Sequence, residues 1–178
     1  MNKPSEQRYS PTAIAIHWLH AVLIIGLLVL GYIMVDLPKG PQRTNLIALH
    51  KSLGFCAILL FMLRLGWRYH RPPPPSLSSG WQHLLAEATH HLLYLLLAVV
   101  PLAGYVSSSF SKFPLKFFGW PVFKAGWPDD GIHDLLGPLH QYSAYLLAGL
   151  LVLHVAGALY HAVLRDGTLS RMLPGGQA

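Results

Sequence analysis

Four stretches of the chain, residues 13–35, 46–67, 84–107 and 135–164, are dominated by apolar side chains. Each reaches the roughly 20 residues that carry an α-helix across a bilayer, so they predict four transmembrane helices. The first is too long for a signal-peptide core, and no small-x-small cleavage site follows it. Arg64 and Arg68 close the second, where long side chains can snorkel to the membrane surface. Pro101 and Gly104 interrupt the third, which membrane helices tolerate when neighbours satisfy the freed carbonyls. Asp166-Gly167 stops the fourth. The connections differ in kind. Residues 36–45 hold Pro38, Gly40 and Pro41, a tight turn. Residues 71–80 hold the proline run Pro72 to Pro75, a stiff spacer. Residues 108–134 form a long loop in which Phe113, Phe117, Phe118, Trp120, Phe123 and Trp127 lie among lysines, as suits a segment on the membrane interface.

Composition agrees. Charged residues make up 11% of the 178 and hydrophobic ones 53%, against about 25% charged in a soluble domain. That is too little polarity to cover a soluble surface, and too much apolar content for disorder. The expectation is an all-α, four-helix transmembrane bundle forming a single integral-membrane domain over residues 1–178. One cysteine, Cys56, excludes an internal disulfide and a multi-thiolate metal site, and it reads as a small buried hydrophobe. The net charge of +6 points to anionic lipid; no charge run suggests nucleic acid. With four spans the termini share one side with the proline spacer. That side holds Lys3, Arg8, Arg64, Arg68, Arg71, Arg165 and Arg171. The other holds Lys39, Arg43, Lys51, Lys112, Lys116 and Lys124. The bias of seven over six places the termini in the cytoplasm by the positive-inside rule. Cations kept on the translocated side suit either an interfacial loop or attraction of an anion.

Histidine is the residue type that composition does not explain, with eleven in so apolar a chain. Ionisable groups inside spans are functional candidates. His140 and His154 are fourteen residues apart, so they share a helix face about 21 Å apart along the axis. Depth matching pairs His140 with His50 and His154 with His17, one pair towards each membrane surface. Two opposed imidazoles across a bundle suit a six-coordinate haem iron. The same histidines could instead bond between helices, and a tetrahedral zinc site would want further donors. His20 is an alternative ligand or a supporting group to His17. His90 and His91 could touch a haem carboxylate or a quinone. His161 sits at the interface or at a redox site. His70, His83 and His133 read as solvated. Arg64 and Arg68 suit haem carboxylates or lipid headgroups.

These residues resemble the bacterial cytochrome b561 family, in particular its small stand-alone, superoxide oxidase-like members. The resemblance spans residues 10–174. It rests on Ile16-His17-Trp18, on His50-Lys51-Ser52-Leu53-Gly54 with Arg64, and on His90 with Leu93-Tyr94 and Pro101-Leu102-Ala103-Gly104. It continues through Leu139-His140, Leu153-His154, Ala158-Leu159-Tyr160-His161, Arg165-Asp166-Gly167-Thr168-Leu169 and Arg171-Met172-Leu173-Pro174. It implies a bundle with two b-type haems, one held by His17 and His154 and the other by His50 and His140; Arg64 and His161, from their own chemistry and position, are the candidates for further cofactor contacts. It implies residence in the bacterial inner membrane, with superoxide oxidised at the periplasmic face and ubiquinone reduced. Lys51, beside His50, is the candidate for drawing in the anion. The other reading is an anchor and relay subunit between a soluble redox partner and quinone. A non-redox transporter would need more broken helices than Pro101 provides.

Overall fold

The computed structural model describes residues 8–77 and 79–174; Lys3, one of the cations counted above, lies outside them. Four long helices run antiparallel in sequence: α1 Pro11–Asp36, α2 Pro41–His70, α3 Gly80–Phe110 and α4 Asp130–Leu164. All four are long and apolar enough to cross a membrane. The chain is thus a multi-pass, four-helix transmembrane bundle.

The helix starts have local causes. Ser10 caps α1, its Oγ accepting from the Ala13 N–H at 3.2 Å, and Pro11 fills the first position, where no N–H is needed. Pro41 does the same for α2. Asp129 caps α4, accepting from the Ile132 N–H at 3.0 Å. That cap begins α4 five residues before the apolar stretch does, with Pro138 accommodated inside the helix. Arg165 ends it in the left-handed conformation, φ 52°. Helix α3 packs along α4 and α1 along α2, with α2 also touching α3.

The long loop is shorter than the sequence suggests, and it is folded. Strands β1, Lys116–Phe117, and β2, Trp120–Pro121, pair as a hairpin. Its two turn residues, Phe118 and Gly119, both have positive φ (46° and 94°), as a two-residue hairpin turn demands. A phenylalanine is a poor choice there. It is held because its N–H donates to the Oγ of buried Ser52 on α2 at 2.9 Å. Phe117 stacks edge-on against Phe55, and Phe55 against Tyr105. Tyr105 in turn donates to the Phe123 carbonyl at 3.1 Å. The hairpin therefore covers the α2–α3 end of the bundle. Phe113, Trp120, Phe123 and Trp127 remain largely exposed.

The opposite end is tied by the C-terminal segment. The indole N–H of Trp18 donates to the Met172 carbonyl at 2.7 Å, and Arg8 donates to the Leu173 carbonyl at 2.6 Å. Buried Arg171 reaches the Pro75 carbonyl of the proline spacer at 2.9 Å.

Candidate functional site

The interior is built in layers seven residues apart. Helix α1 contributes His17, Ile24 and Gly31; α2 contributes His50, Ala57 and Arg64; α3 contributes His90, Leu97 and Gly104; α4 contributes His140, Leu147 and His154. Seven residues are about 20° short of two helical turns, so each trio keeps one face. Ile24, Ala57, Leu97 and Leu147 meet in one buried apolar cluster at the middle. A layer of four lies above it, towards the hairpin, and another below it, towards the termini.

The hairpin-side layer holds Gly31, His50, Gly104 and His140. The rings of His50 and His140 face each other with centroids 6.0 Å apart. The His140 Nδ1–H donates to the Val100 carbonyl on α3 at 2.8 Å. A carbonyl only accepts, so Nδ1 carries the proton and Nε2 keeps its lone pair for a metal. Gly104 makes this approach possible, because a Cβ there would lie 2.8 Å from His140 Nδ1. The His50 ring rests against Gly31, and its Nδ1 is buried without a partner. A cleft of about 650 Å³, part of it open to the surroundings, runs between α2 and α3 past both histidines, Gly54, Pro101 and Gly104. Lys51 lines the same cleft, half-buried, and Lys124 is the cation whose charge reaches it. Lys124 itself donates to the Ser111 carbonyl at 2.5 Å.

The terminal-side layer holds His17, Arg64, His90 and His154. The His17 and His154 centroids are 6.4 Å apart. Arg64 places Nη2 2.9 Å from His17 Nδ1, and His90 packs edge-on against His154 at 5.5 Å. The guanidinium of Arg64 lies 5.2 Å over the Tyr94 ring, and that of Arg68 lies 5.4 Å over the same ring. Among the described residues, neither arginine forms an ion pair with a carboxylate.

Both pairs fit an iron between them. Two metal–nitrogen bonds of about 2 Å, plus a ring radius at each end, put opposed imidazole centroids about 6 Å apart. Among the described residues no three histidine, cysteine or carboxylate side chains converge to hold a bare ion; each pair instead sets two imidazoles opposite each other, as the axial positions of an iron held in a macrocycle would require. The glycine cradle, the bare Nε2 of His140 and the unpartnered Nδ1 of His50 belong to the same arrangement.

The remaining histidines divide differently from the sequence reading. His20 is 1% exposed and neither ring nitrogen has a partner; it lies one turn deeper than His17. His133 is partly buried and hydrogen-bonded rather than simply solvated. Its Nδ1 is 3.0 Å from both the carbonyl and the hydroxyl of buried Ser107, because α4 begins early enough to bring it against α3. His161 is bonded to Asp166, just past the end of α4, and is only partly exposed. His91 turns back to the Glu87 carbonyl of its own helix at 2.9 Å and is exposed. His70 is exposed at the end of α2, and His83 lies 3.9 Å from Glu87. Cys56 is half-buried rather than enclosed. The roles of Gly31 and Gly104 escaped the sequence reading. The signal that reveals them is the fourteen-residue spacing from His17 and His90, the same as that from His140 to His154.

Comparison with known proteins shows the family to which the chain belongs. The family described as prokaryotic cytochrome b561 matches residues 8–175. Cytochrome b561 homolog 2 of Escherichia coli K12 is 36% identical, covering 94% of this chain and 92% of its own. Cytochrome b561 homolog 1 of the same organism is 30% identical over 94% of this chain and 97% of its own. A probable superoxide oxidase, CybB of Yersinia pestis, is 28% identical over 94% and 97%. Four spans, opposed histidines and a match along nearly the whole length make this chain a member of the prokaryotic cytochrome b561 family, a membrane electron-transfer protein of the b-type haem class.

Proposed function

We propose that the chain binds two b-type haems, one between His17 and His154 and the other between His50 and His140, and carries electrons between the two membrane faces. The observation that carries this reading is the pair of ring separations, 6.4 and 6.0 Å, at two depths of one bundle. Bound haem supplies the one-electron carrier; the chain supplies its placement. Filling both axial positions with imidazole leaves no open position on the iron for oxygen, which favours electron transfer over oxygen binding. The sequence of events proposed is oxidation of superoxide at the hairpin side, taken as periplasmic, and reduction of ubiquinone. Two superoxide anions give two electrons and two dioxygen molecules, and one quinone takes both electrons with two protons to become quinol. Lys51 puts positive charge beside His50, and Lys124 is near enough to act on Lys51; together they would steer a small anion towards the hairpin-side pair. Arg64 and His161 are the proposed further cofactor contacts on the terminal side. The bacterial inner membrane, with cytoplasmic termini, is the proposed setting.

The test is haem per chain together with oxidised and reduced spectra of the purified protein, followed by superoxide consumption with ubiquinone as acceptor. Two low-spin haems, and one quinol formed per two superoxide consumed, support the reading. Loss of neither haem in folded His140→Ala sinks the assignment of the hairpin-side pair. Two haems without superoxide oxidation, in a preparation that carries a soluble redox partner, would favour the relay reading instead.

A further inference from the structure

The two candidate pairs are not equally ready for a metal. At the hairpin side, His140 gives its Nδ1 proton to a carbonyl and presents a bare Nε2. At the terminal side, His17 meets a guanidinium instead, at 2.9 Å. A guanidinium has no acceptor, so the Nδ1 of His17 must accept and the ring proton sits on Nε2. In that tautomer neither nitrogen offers a lone pair: one is taken by Arg64 and the other carries hydrogen. His17 becomes a ligand only when Arg64 leaves Nδ1.

We propose that Arg64 is a latch on His17, so that the hairpin-side pair takes haem first and the terminal-side pair only after Arg64 is drawn away. This inference rests on the di-haem reading above and concerns the order of assembly. The guanidinium has somewhere to go. No described carboxylate pairs with it, and its rest against Tyr94 is a cation–π contact that a carboxylate outcompetes. Haem brings carboxylates of its own. The incoming cofactor thereby frees the nitrogen that binds it, and Arg64 acts as a positioning residue through His17. Among the described residues no cation bonds to a histidine of the other site, where Gly104 leaves the His140 ring in place with its tautomer already set.

The experiment follows haem uptake by the full-length chain, made under haem limitation and reconstituted in lipid nanodiscs. His17→Ala reports the hairpin-side site alone and His140→Ala the terminal-side site alone. The expected result is uptake at least tenfold slower in His140→Ala than in His17→Ala. Adding Arg64→Met to His140→Ala should abolish the lag and speed later loss of haem to a scavenger protein. Adding Arg64→Lys, which keeps a donor-only cation, should preserve the lag. Equal uptake by the two sites, or a lag unchanged by Arg64→Met, overturns the latch while leaving two haems in place. Absence of haem from the folded wild-type chain overturns the di-haem reading itself. Should either alanine variant fail to fold, the wild-type chain isolated at half an equivalent of haem decides by its low-temperature spectrum. A single spectral species, converted to two on saturation, is expected, and a statistical mixture of both from the start overturns the order.

Discussion

At the scale of single residues, Gly104 decides whether the hairpin-side pair can form. A Cβ at this position would lie 2.8 Å from His140 Nδ1 and 3.0 Å from Cε1, closer than carbon atoms tolerate. Gly104→Ala must push the ring away and break its bond to the Val100 carbonyl. The fold should survive, since alanine is a better helix former than glycine by about 1 kcal/mol. The expected outcome is a folded variant with one haem instead of two, read by haem-to-protein ratio; two haems with an unchanged spectrum would show that the ring has room to spare. The four candidate ligands were legible in the sequence, because an imidazole within a span is rare and its depth follows from residue count. Gly104 was not, because a glycine three residues after Pro101 reads as a helix interruption and its partner lies on another helix. His20 was legible only as a companion of His17. That both its ring nitrogens are buried without partners is a fact of packing that no spacing reveals.

At the scale of elements, the two ends of the bundle are closed by short segments that the sequence left as loops. The turn of the hairpin is tied to α2 by the hydrogen bond from the Phe118 N–H to Ser52. Ser52→Ala removes the acceptor and leaves a residue of positive φ without support, at a cost of about 0.5–1.5 kcal/mol. Amide exchange in residues 113–124 should rise while both haems stay bound; unchanged exchange would place the anchor in the Phe55 and Phe117 stacking instead. No turn was legible at Phe118-Gly119, since phenylalanine is a poor residue at positive φ and only a tertiary bond keeps it there. At the other end, partial burial pushes the Asp166 carboxyl up, but the Thr168 N–H and the His161 ring outweigh it and hold it below its ordinary value. A carboxyl depressed by folding stabilises fully above its unfolded value and ceases to do so as pH falls through the folded one. The C-terminal segment should therefore stay closed at neutral pH and loosen only below about pH 4, seen as a fall in amide protection, relative to the intrinsic exchange rate at each pH, in residues 165–173. Protection that is unchanged down to about pH 3 would assign the closure to Trp18, Arg8 and Arg171 alone.

At the scale of the whole molecule, the four spans and their antiparallel order were legible because apolar length is a strong signal and short connections leave little choice. The layered interior was only half legible. The fourteen-residue spacing was visible on α4, where both positions are histidine, but not on α1, α2 and α3, where the second member is glycine or arginine. All four helices nevertheless obey it, with an apolar member midway on each. The two candidate ligand layers are thus held about 21 Å apart along the helix axes, within a hydrocarbon core about 30 Å thick. An electron passed from one layer to the other crosses about two-thirds of the membrane's electric field. Each 100 mV of transmembrane potential then changes that step by roughly 1.6 kcal/mol, or about tenfold in the electron distribution. In vesicles with an imposed potassium diffusion potential, the partly reduced protein should shift its electrons towards the layer on the positive side. A distribution indifferent to voltage would mean that the two carriers lie at one depth. Under the proposed function, with the hairpin side periplasmic and electrons moving inward, a cytoplasm held negative opposes the step, so the energised membrane would itself act as a brake, and the brake would be set by a count of residues.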